Sequence, residues 1–457
     1  MANGGPSLLS NPRWNVTAIV IYMALVFAIS PLMGADWVSP GDLNPTTQAL
    51  YHAIMIPMTL LLAILAAELL DLPRWARLAA NYMTYPTLVL TFIGNAVLQA
   101  YYPSSTANYV VQGVRDVLLY IVALVMLVAM IYRAVSNRTW LKRMWAPWLL
   151  LLAAGVSIML APIYGIVFLM PQTWGLPLFA STVQSVGNQT FVGDLVTSHS
   201  HQMLPAVGDA IVALTAVYFG YESLKGRLRW TAVTGMLIGV ASVIVFTYLY
   251  WASGVGTYSI PAIAPFGPQG VNGLALDDFI TGLSGWGAIL VIAALYAGPL
   301  AIMARRGEGD ERLYRLAALL TWVGAIAILI GIGYFIELNE AFYGFGSPGT
   351  PPTGGPGYIY DDAFMMAHLV TAFMLIPVMA ASMLAVDFVV PQGVRAKRYV
   401  SYLTLASLIL AFLGVQSYVM TAIPMLLEVA EAVSGVTILV NAFLPLYARP
   451  SPRPKAV

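Results

Sequence analysis

Long, continuously apolar runs separated by short polar stretches dominate this chain. A helix needs about 20 apolar residues to cross the hydrocarbon core of a bilayer. Helices are expected rather than barrel strands, because the runs do not alternate between apolar and polar residues and because backbone groups in lipid must pair within their own segment. The pattern predicts an all-α, polytopic bundle of about twelve transmembrane helices, at 16–35, 48–70, 80–101, 114–133, 145–170, 197–221, 230–252, 281–304, 314–336, 362–386, 399–421 and 424–447.

Composition supports a membrane protein and restricts its cofactors. Hydrophobic residues make up 60% of the chain and charged residues 9%, whereas soluble domains carry roughly 25% charged residues. We therefore expect a multi-pass protein of the plasma membrane that contacts the lipid bilayer and no nucleic acid. The chain has no cysteine, which excludes disulfides, thioether-linked haem, cysteine-ligated iron–sulfur clusters and thiolate-bound copper.

Positive charge lies on one side of the predicted bundle. Every Lys and Arg except Arg115 falls in loops of the same parity, whereas the opposite loops are acidic. The positive-inside rule assigns the basic side to the cytoplasm, and both termini with it. The basic side carries Arg13, Arg74, Arg77, Arg133, Arg138, Lys142, Arg143, Lys225, Arg227, Arg229, Arg305, Arg306, Arg312, Arg315, Arg395, Lys397, Arg398, Arg449, Arg453 and Lys455.

Nothing in the sequence suggests a second domain, so residues 1–457 are expected to form a single transmembrane domain. Three outer loops are long and rich in Gly, Pro and aromatic residues, at about 171–196, 253–280 and 338–361. Such composition is typical of ordered turns. We expect a structured extracytoplasmic surface that docks a partner.

The histidines all lie near the outer ends of predicted helices. His52 is about a turn into the second span, His199 and His201 open the sixth, and His368 is nearly two turns into the tenth. At 1.5 Å per residue all lie within roughly 10 Å of the outer interface. A single histidine there is most often an interfacial hydrogen-bonding residue, but a layer of them favours a metal or haem site.

Haem iron suits these ligands best. Imidazoles on apolar helices without a carboxylate cluster do not suit magnesium or calcium, and zinc normally requires a closed set of four ligands. Two histidines on different helices can hold haem b from opposite faces in a bundle core. We predict one or two haem b groups, with the iron ligands drawn from these four histidines.

His199 and His201 leave three interpretations open. Two residues apart on a regular helix, they point roughly 200° apart, so they cannot share one metal ion unless the segment is a loop. One of them, His201 in first place, ligates a second haem or replaces a ligand of the first. Alternatively, the pair binds copper beside Met203, or it hydrogen-bonds haem propionates or a quinone.

Two histidine segments resemble a known family. They are Leu50-Tyr51-His52-Ala53-Ile54 and Met365-Met366-Ala367-His368-Leu369, and in a chain of twelve predicted helices they resemble subunit I of haem-copper oxidases. In that family, helices two and ten supply the axial ligands of the low-spin haem near the outer face. The resemblance implies that His52 and His368 hold this haem.

Departures from the family exclude its oxygen chemistry. Met366 stands where the family has the ligand of its high-spin haem, no histidine lies between His201 and His368, and the paired arginines of helix eleven are missing. The remaining features resemble the very hydrophobic membrane component of the archaeal cytochrome b558/566. This resemblance implies a b-type cytochrome subunit of a respiratory complex, not a terminal oxidase, with quinol as electron donor. Its expected partners are an extracytoplasmic cytochrome or other redox protein and further respiratory subunits.

Other polar residues are candidates for charge compensation and proton transfer. Arg115 is predicted to pair with haem propionates or simply with Asp116. Asp209 shares a helix face with His201 and is a candidate proton acceptor. Glu428 and Glu431 are helix neighbours that could carry protons outward or contact a quinone. The alternative for these three carboxylates is hydrogen bonding across helices.

A secondary transporter with twelve helices and no haem is the competing hypothesis. Transporter sites usually lie near the membrane midplane between structural repeats, on broken helices. The outer depth of the histidines and the absence of a visible repeat argue against this class. Prolines inside predicted helices, such as Pro57 and Pro377, argue for it.

Overall fold

The described part of the chain is all-helical, as predicted. The computed structural model describes residues 8–35, 45–162, 188–251, 271–343, 377–421 and 425–447, with only the backbone over 188–201, 248–251, 271–282, 327–343 and 418–421 and at a few single positions. No strand occurs in these ranges. The helices are α1 (Pro12–Ile29), α2 (Pro45–Leu69), α3 (Arg74–Tyr82), α4 (Thr84–Thr91), α5 (Thr106–Ser136), α6 (Arg138–Leu160), α7 (Asn188–Phe219), α8 (Gly226–Trp251), α9 (Val271–Leu295), α10 (Ala301–Arg305), α11 (Gly309–Tyr343), α12 (Ala381–Val389), α13 (Ala396–Thr421) and α14 (Met425–Tyr447).

The protein is a multi-pass membrane protein by the length and composition of its helices. Within the described ranges, 8 helices are long and apolar enough to cross a membrane. The total of twelve spans and the cytoplasmic position of both termini stay predictions. The candidate spans are Pro12–Met33, Thr46–Leu69, Thr106–Ser136, Arg138–Leu160, Gly226–Val245, Leu283–Arg305, Ala396–Ser417 and Met425–Tyr447.

Several helices continue beyond the apolar runs that predicted them. α7 begins at Asn188, α9 begins at Val271 and α11 continues to Tyr343, so parts of the three predicted outer loops are helical. An apolar run marks only the length that fits in lipid, whereas a helix continues until a capping or breaking residue stops it. The rest of these loops, 171–187, 253–270 and 344–361, lies outside the described residues.

The predicted third span is a broken helix. α3 and α4 meet at Met83, and a π-helix follows at Phe92–Gln99. A second π-helix, Tyr296–Leu300, contains Pro299, and the residues described at 377–380, which include Pro377, are also in a π conformation. Proline removes a backbone donor and clashes with the preceding turn, and a locally wider helix accommodates it.

The chain forms two compact units. Unit 1 consists of Met1–Leu119 and Tyr296–Val457. In it, α1 packs against α2, α12 and α14, α13 packs against α11 and α14, and α2 also contacts α12. These contacts bring the second and tenth predicted spans together.

Unit 2 consists of Tyr120–Leu295. Its α8 and α9 cross at Gly235 and Gly287, where a Cβ atom on Gly235 would lie 2.4 Å from the Gly287 carbonyl oxygen. Only glycine permits this approach, and small residues are typical of close helix contacts in membranes. The prediction of a single domain over 1–457 stays a prediction.

Candidate functional site

The His52 ring bonds to the backbone of its own helix. It lies on α2, half-buried, with its Nδ1 atom 2.8 Å from the Gln48 carbonyl oxygen. When Nδ1 carries the proton it donates to this carbonyl, and the lone pair that can bind a metal then lies on Nε2. A backbone carbonyl in this role orients the ring and raises its basicity. The Tyr51 ring lies edge-on to it, with 5.7 Å between ring centroids.

His368 and the neighbouring Met366 lie outside the described residues. The structure describes only the later part of the span predicted to contain them. That part ends in α12, which packs against α2 in unit 1. The two helices that are predicted to supply the haem ligands are therefore neighbours in their described parts.

His199 and His201 both lie in α7, and their side chains are outside the described residues. The helix begins well before them, at Asn188. The loop conformation that a shared copper ion requires is therefore not present there. Met203, the proposed soft neighbour, is half-buried on the same helix.

Arg115 is buried and has partners within unit 1. Its Nε and Nη2 atoms donate to Asp116 Oδ1 at 2.9 and 2.7 Å, and its Nη1 donates to Asn95 Oδ1 on the π-helix. The side chain is 4% exposed. The pairing with Asp116 is present, which was one of its two predicted interpretations, while contact with a propionate stays a prediction.

Asp209 makes a hydrogen bond across helices in unit 2. It is buried on α7, and the Ser284 hydroxyl of α9 donates to its Oδ2 atom at 3.3 Å. Gly239 of α8 lies against the same carboxyl group, since a Cβ atom there would be 3.2 Å from Asp209 Oδ1. A carboxyl group held in this way fits the alternative of interhelical bonding, and its role in proton transfer stays a prediction.

Glu428 and Glu431 lie near the start of α14. Glu428 is exposed and Glu431 is half-buried. They are three residues apart on a regular helix, so their side chains are neighbours, as predicted from their spacing. Both belong to unit 1, together with His52.

Four charged side chains form a buried charge network that sequence reasoning missed. Lys397 Nζ lies 2.9 Å from Glu311 Oε2 and 2.5 Å from Asp387 Oδ1. Arg315 Nε lies 2.9 Å from Asp387 Oδ2, and its Nη2 lies 3.5 Å from Glu311 Oε1. The network joins α11, α12 and α13.

Arg315 and Lys397 were predicted as loop cations of the basic side, but both lie in helices and both are buried. Lys397 is 0% exposed and Arg315 is 9% exposed, because Lys397 lies in the packed first turn of α13 and Arg315 in the second turn of α11. The missed signal was Asp387. A carboxylate in the otherwise apolar run 377–390 is costly to bury unless an opposite charge lies against it.

A cleft opens beside Glu311. It has a volume of about 330 Å³ and is lined by 307–311, Gln392 and Gly393. Gly307 and Gly393 form the turns before α11 and α13, with φ of +73° and +79°, in the left-handed region that favours glycine. Glu311 lies in both the cleft and the charge network.

Glu311 holds a labile proton more readily than an ordinary glutamate. It precedes the predicted span 314–336. Burial, followed by the hydrogen bond and charge of Asp387, raises the pKa of Glu311 from 4.5 to about 7, and Lys397 limits the rise. Desolvation of the charged form and a neighbouring like charge both favour the neutral acid.

Comparison with known proteins does not identify the chain. No protein-family model matches it, no curated protein matches it, and no solved structure matches it. Within the described residues, no group of three or more His, Asp or Glu side chains is placed to hold a metal ion. The function must therefore be argued from the site residues.

Proposed function

We propose that this protein is a membrane b-type cytochrome subunit of a respiratory electron-transfer complex. It takes electrons from quinol and passes them, through haem near the outer face, to an extracytoplasmic cytochrome or other redox protein. The observation that carries the proposal is the packing of α2 against α12, together with the bond between His52 Nδ1 and the Gln48 carbonyl. It supports a pair of axial ligands from the second and tenth spans.

The histidine side chains proposed as ligands suit haem iron. His52 and His368 would hold the iron, and His201 is the candidate ligand for a second haem. Bound haem supplies a one-electron carrier whose potential depends on its ligands and surroundings. The chain's own contribution is position: Gln48 fixes the ring of His52, and the buried residues Ala53, Ile54 and Met55 keep water from that part of the bundle.

Quinol oxidation releases protons as well as electrons, so the proposal needs proton acceptors. Glu428 and Glu431 lie at the end of α14 that the charge asymmetry assigns to the outside. We assign them the role of accepting these protons. Arg115, which also binds Asp116, is assigned to haem propionates within unit 1. His199 is assigned to haem propionates within unit 2.

The test is an optical spectrum of the purified protein. Expressed with sufficient haem, the protein is expected to give a reduced-minus-oxidised difference spectrum with the sharp bands of a low-spin b-type cytochrome. The same preparation should lose the bands on acid extraction of its non-covalently held haem, because a chain without cysteine cannot form thioether links. A haem-replete preparation without b-type absorption contradicts the proposal.

Broken helices support the alternative, a secondary transporter. The π-helix at Phe92–Gln99, the π-helix that contains Pro299 and the buried Asp209 are features that transporters place near substrate and ion sites. A protein that purifies without haem and accumulates a solute in vesicles under an ion gradient would establish this alternative instead.

A further inference from the structure

The charge network lies at the end of unit 1 that carries the basic loops. Arg305 and Arg306 follow α10, and Arg395 and Arg398 flank the start of α13. All four of these arginines are exposed, whereas the network beside them is buried. The positive-inside rule assigns this end to the cytoplasm. The cleft therefore gives water of that compartment access to a buried carboxyl group.

Glu311 is the point at which the cleft meets the network. Its carboxyl group is 5% exposed. The charged groups that face it are Lys397 from α13, Asp387 from α12 and Arg315 from its own helix. From α10, Met303 contributes only its sulfur, 3.8 Å from Arg315. With two cations opposite two carboxyl groups, the network can gain or lose one proton at Glu311 without unpairing Lys397.

Tyr314 lies one turn inward from Glu311 on α11 and contacts the same lysine, Lys397. It is fully buried one turn along α11, and its ring lies against Lys397, with Nζ 5.3 Å from the centroid. Its hydroxyl donates to Asn441 Oδ1 on α14 at 2.6 Å. The Asn441 amide nitrogen is buried without a hydrogen-bond partner. An unpaired buried donor is costly, so it points to a bound polar species at this position.

Polar residues continue along α14 from Asn441 to its other end. Thr437, Ser434 and Glu431 follow at spacings of four, three and three residues, which keeps neighbours in the series on adjacent turns. Thr437 lies 3.0 Å from the Ser407 hydroxyl of α13, and the buried Ser434 hydroxyl has no partner. Glu428 completes the series, about 20 Å from Asn441 at 1.5 Å per residue.

We infer that unit 1 contains a proton path that enters at the cleft beside Glu311, passes Tyr314 and Asn441, and follows α14 to Glu431 and Glu428. A proton from water in the cleft binds the Glu311 carboxylate, and one proton leaves at the far carboxylates for each that enters. Ordered water bridges the turns that are too far apart for direct hydrogen bonds. The buried atoms without partners, on Asn441 and Ser434, are where such water would bind. The path needs neither haem nor quinol.

Proton flux through the reconstituted protein tests this inference. The purified full-length protein is placed in phosphatidylcholine–phosphatidylglycerol vesicles that contain the pH dye pyranine, and a potassium gradient with valinomycin sets the membrane potential. Wild-type vesicles should conduct protons well above protein-free vesicles. Glu311→Gln should lower this flux by about a hundredfold, the lower end of the effect of a positioned proton-transfer group.

Two variants separate a proton carrier from a structural residue. Glu311→Asp keeps a carboxyl group and should restore most of the flux. Tyr314→Phe keeps the ring against Lys397 and removes only the hydroxyl, so it should lower the flux in a protein that still folds.

Glu308→Gln is the matched control, because Glu308 lines the same cleft but has no place in the network, and its flux should equal that of the wild type. Wild-type flux no higher than in protein-free vesicles overturns the inference. So does unchanged flux in both Glu311→Gln and Tyr314→Phe. Because no electron donor is present, neither result bears on the proposed cytochrome function.

Discussion

Replacing Lys397 with methionine is expected to lower the free energy of unfolding by about 3–5 kcal/mol, the usual cost of removing one partner of a buried ion pair. Lys397 bonds both carboxyl groups of the charge network, with Nζ 2.9 Å from Glu311 Oε2 and 2.5 Å from Asp387 Oδ1. Without it, Arg315 alone must compensate two buried carboxylates that join three helices. Thermal unfolding of the purified protein in detergent measures the change.

The loss of stability in Lys397→Met should depend on pH. Glu311 already has a raised pKa of about 7 in the folded protein, and removing the Lys397 ammonium raises this pKa further. An acid whose pKa is raised by folding binds more protons when folded, so its destabilising effect grows as the pH rises through that value. The variant should therefore be least impaired below pH 7 and most impaired above it.

Lys142→Met is the matched control for Lys397→Met. Lys142 is an exposed lysine of the basic side, and its replacement should change stability by less than about 0.5 kcal/mol. Adding Asp387→Asn to Lys397→Met should recover part of the loss, since Arg315 then has to compensate one buried carboxylate instead of two. Equal unfolding temperatures for Lys397→Met and Lys142→Met would show that the charge network contributes no stability.

The variants His52→Ala and His368→Ala are each expected to abolish the low-spin haem signal. Haem in a helical bundle without thioether links depends on its axial ligands for binding and spin state, and alanine supplies none. His199→Ala should keep the signal, because His199 is assigned to the propionates rather than to the iron. Reduced-minus-oxidised spectra, normalised to protein concentration, compare the three variants.

A folding control accompanies these variants. Gln48→Ala changes a side chain next to His52 but leaves the Gln48 backbone carbonyl that accepts from Nδ1, so it should keep haem. If His52→Ala retains a wild-type low-spin spectrum, His52 is not an axial ligand, and the α2 assignment fails whatever the result for His368.

The length of the apolar runs predicted the fold class, because a helix that crosses lipid must be long enough to span its hydrocarbon core. α13 (Ala396–Thr421) closely matches its apolar run 399–421, whereas the ends of α5 and α6 differ from those of their runs by three to ten residues. The break between α3 and α4 at Met83 was not predictable from apolarity. A π-helix such as Phe92–Gln99 changes hydrogen bonding and leaves hydropathy unchanged.

In the candidate site as well, relations between residues close in sequence were predictable and contacts between distant residues were not. Spacing alone placed Glu428 beside Glu431 and paired Arg115 with Asp116, because both relations are local in sequence. The charge network depends on contacts between residues such as Glu311 and Lys397, 86 positions apart, and no local pattern reports such a contact. Sorting cations by loop parity even concealed it, since the parity of a loop does not tell whether the side chain at its edge is buried.

Near-infrared magnetic circular dichroism of the oxidised, purified protein tests the central claim most directly, because the position of the charge-transfer band of low-spin ferric haem identifies its two axial ligands. The predicted result is a band typical of bis-histidine ligation in the wild type, which disappears in His52→Ala. A band typical of a histidine–methionine pair, or no low-spin haem in a haem-replete preparation, would contradict a haem held between His52 and His368.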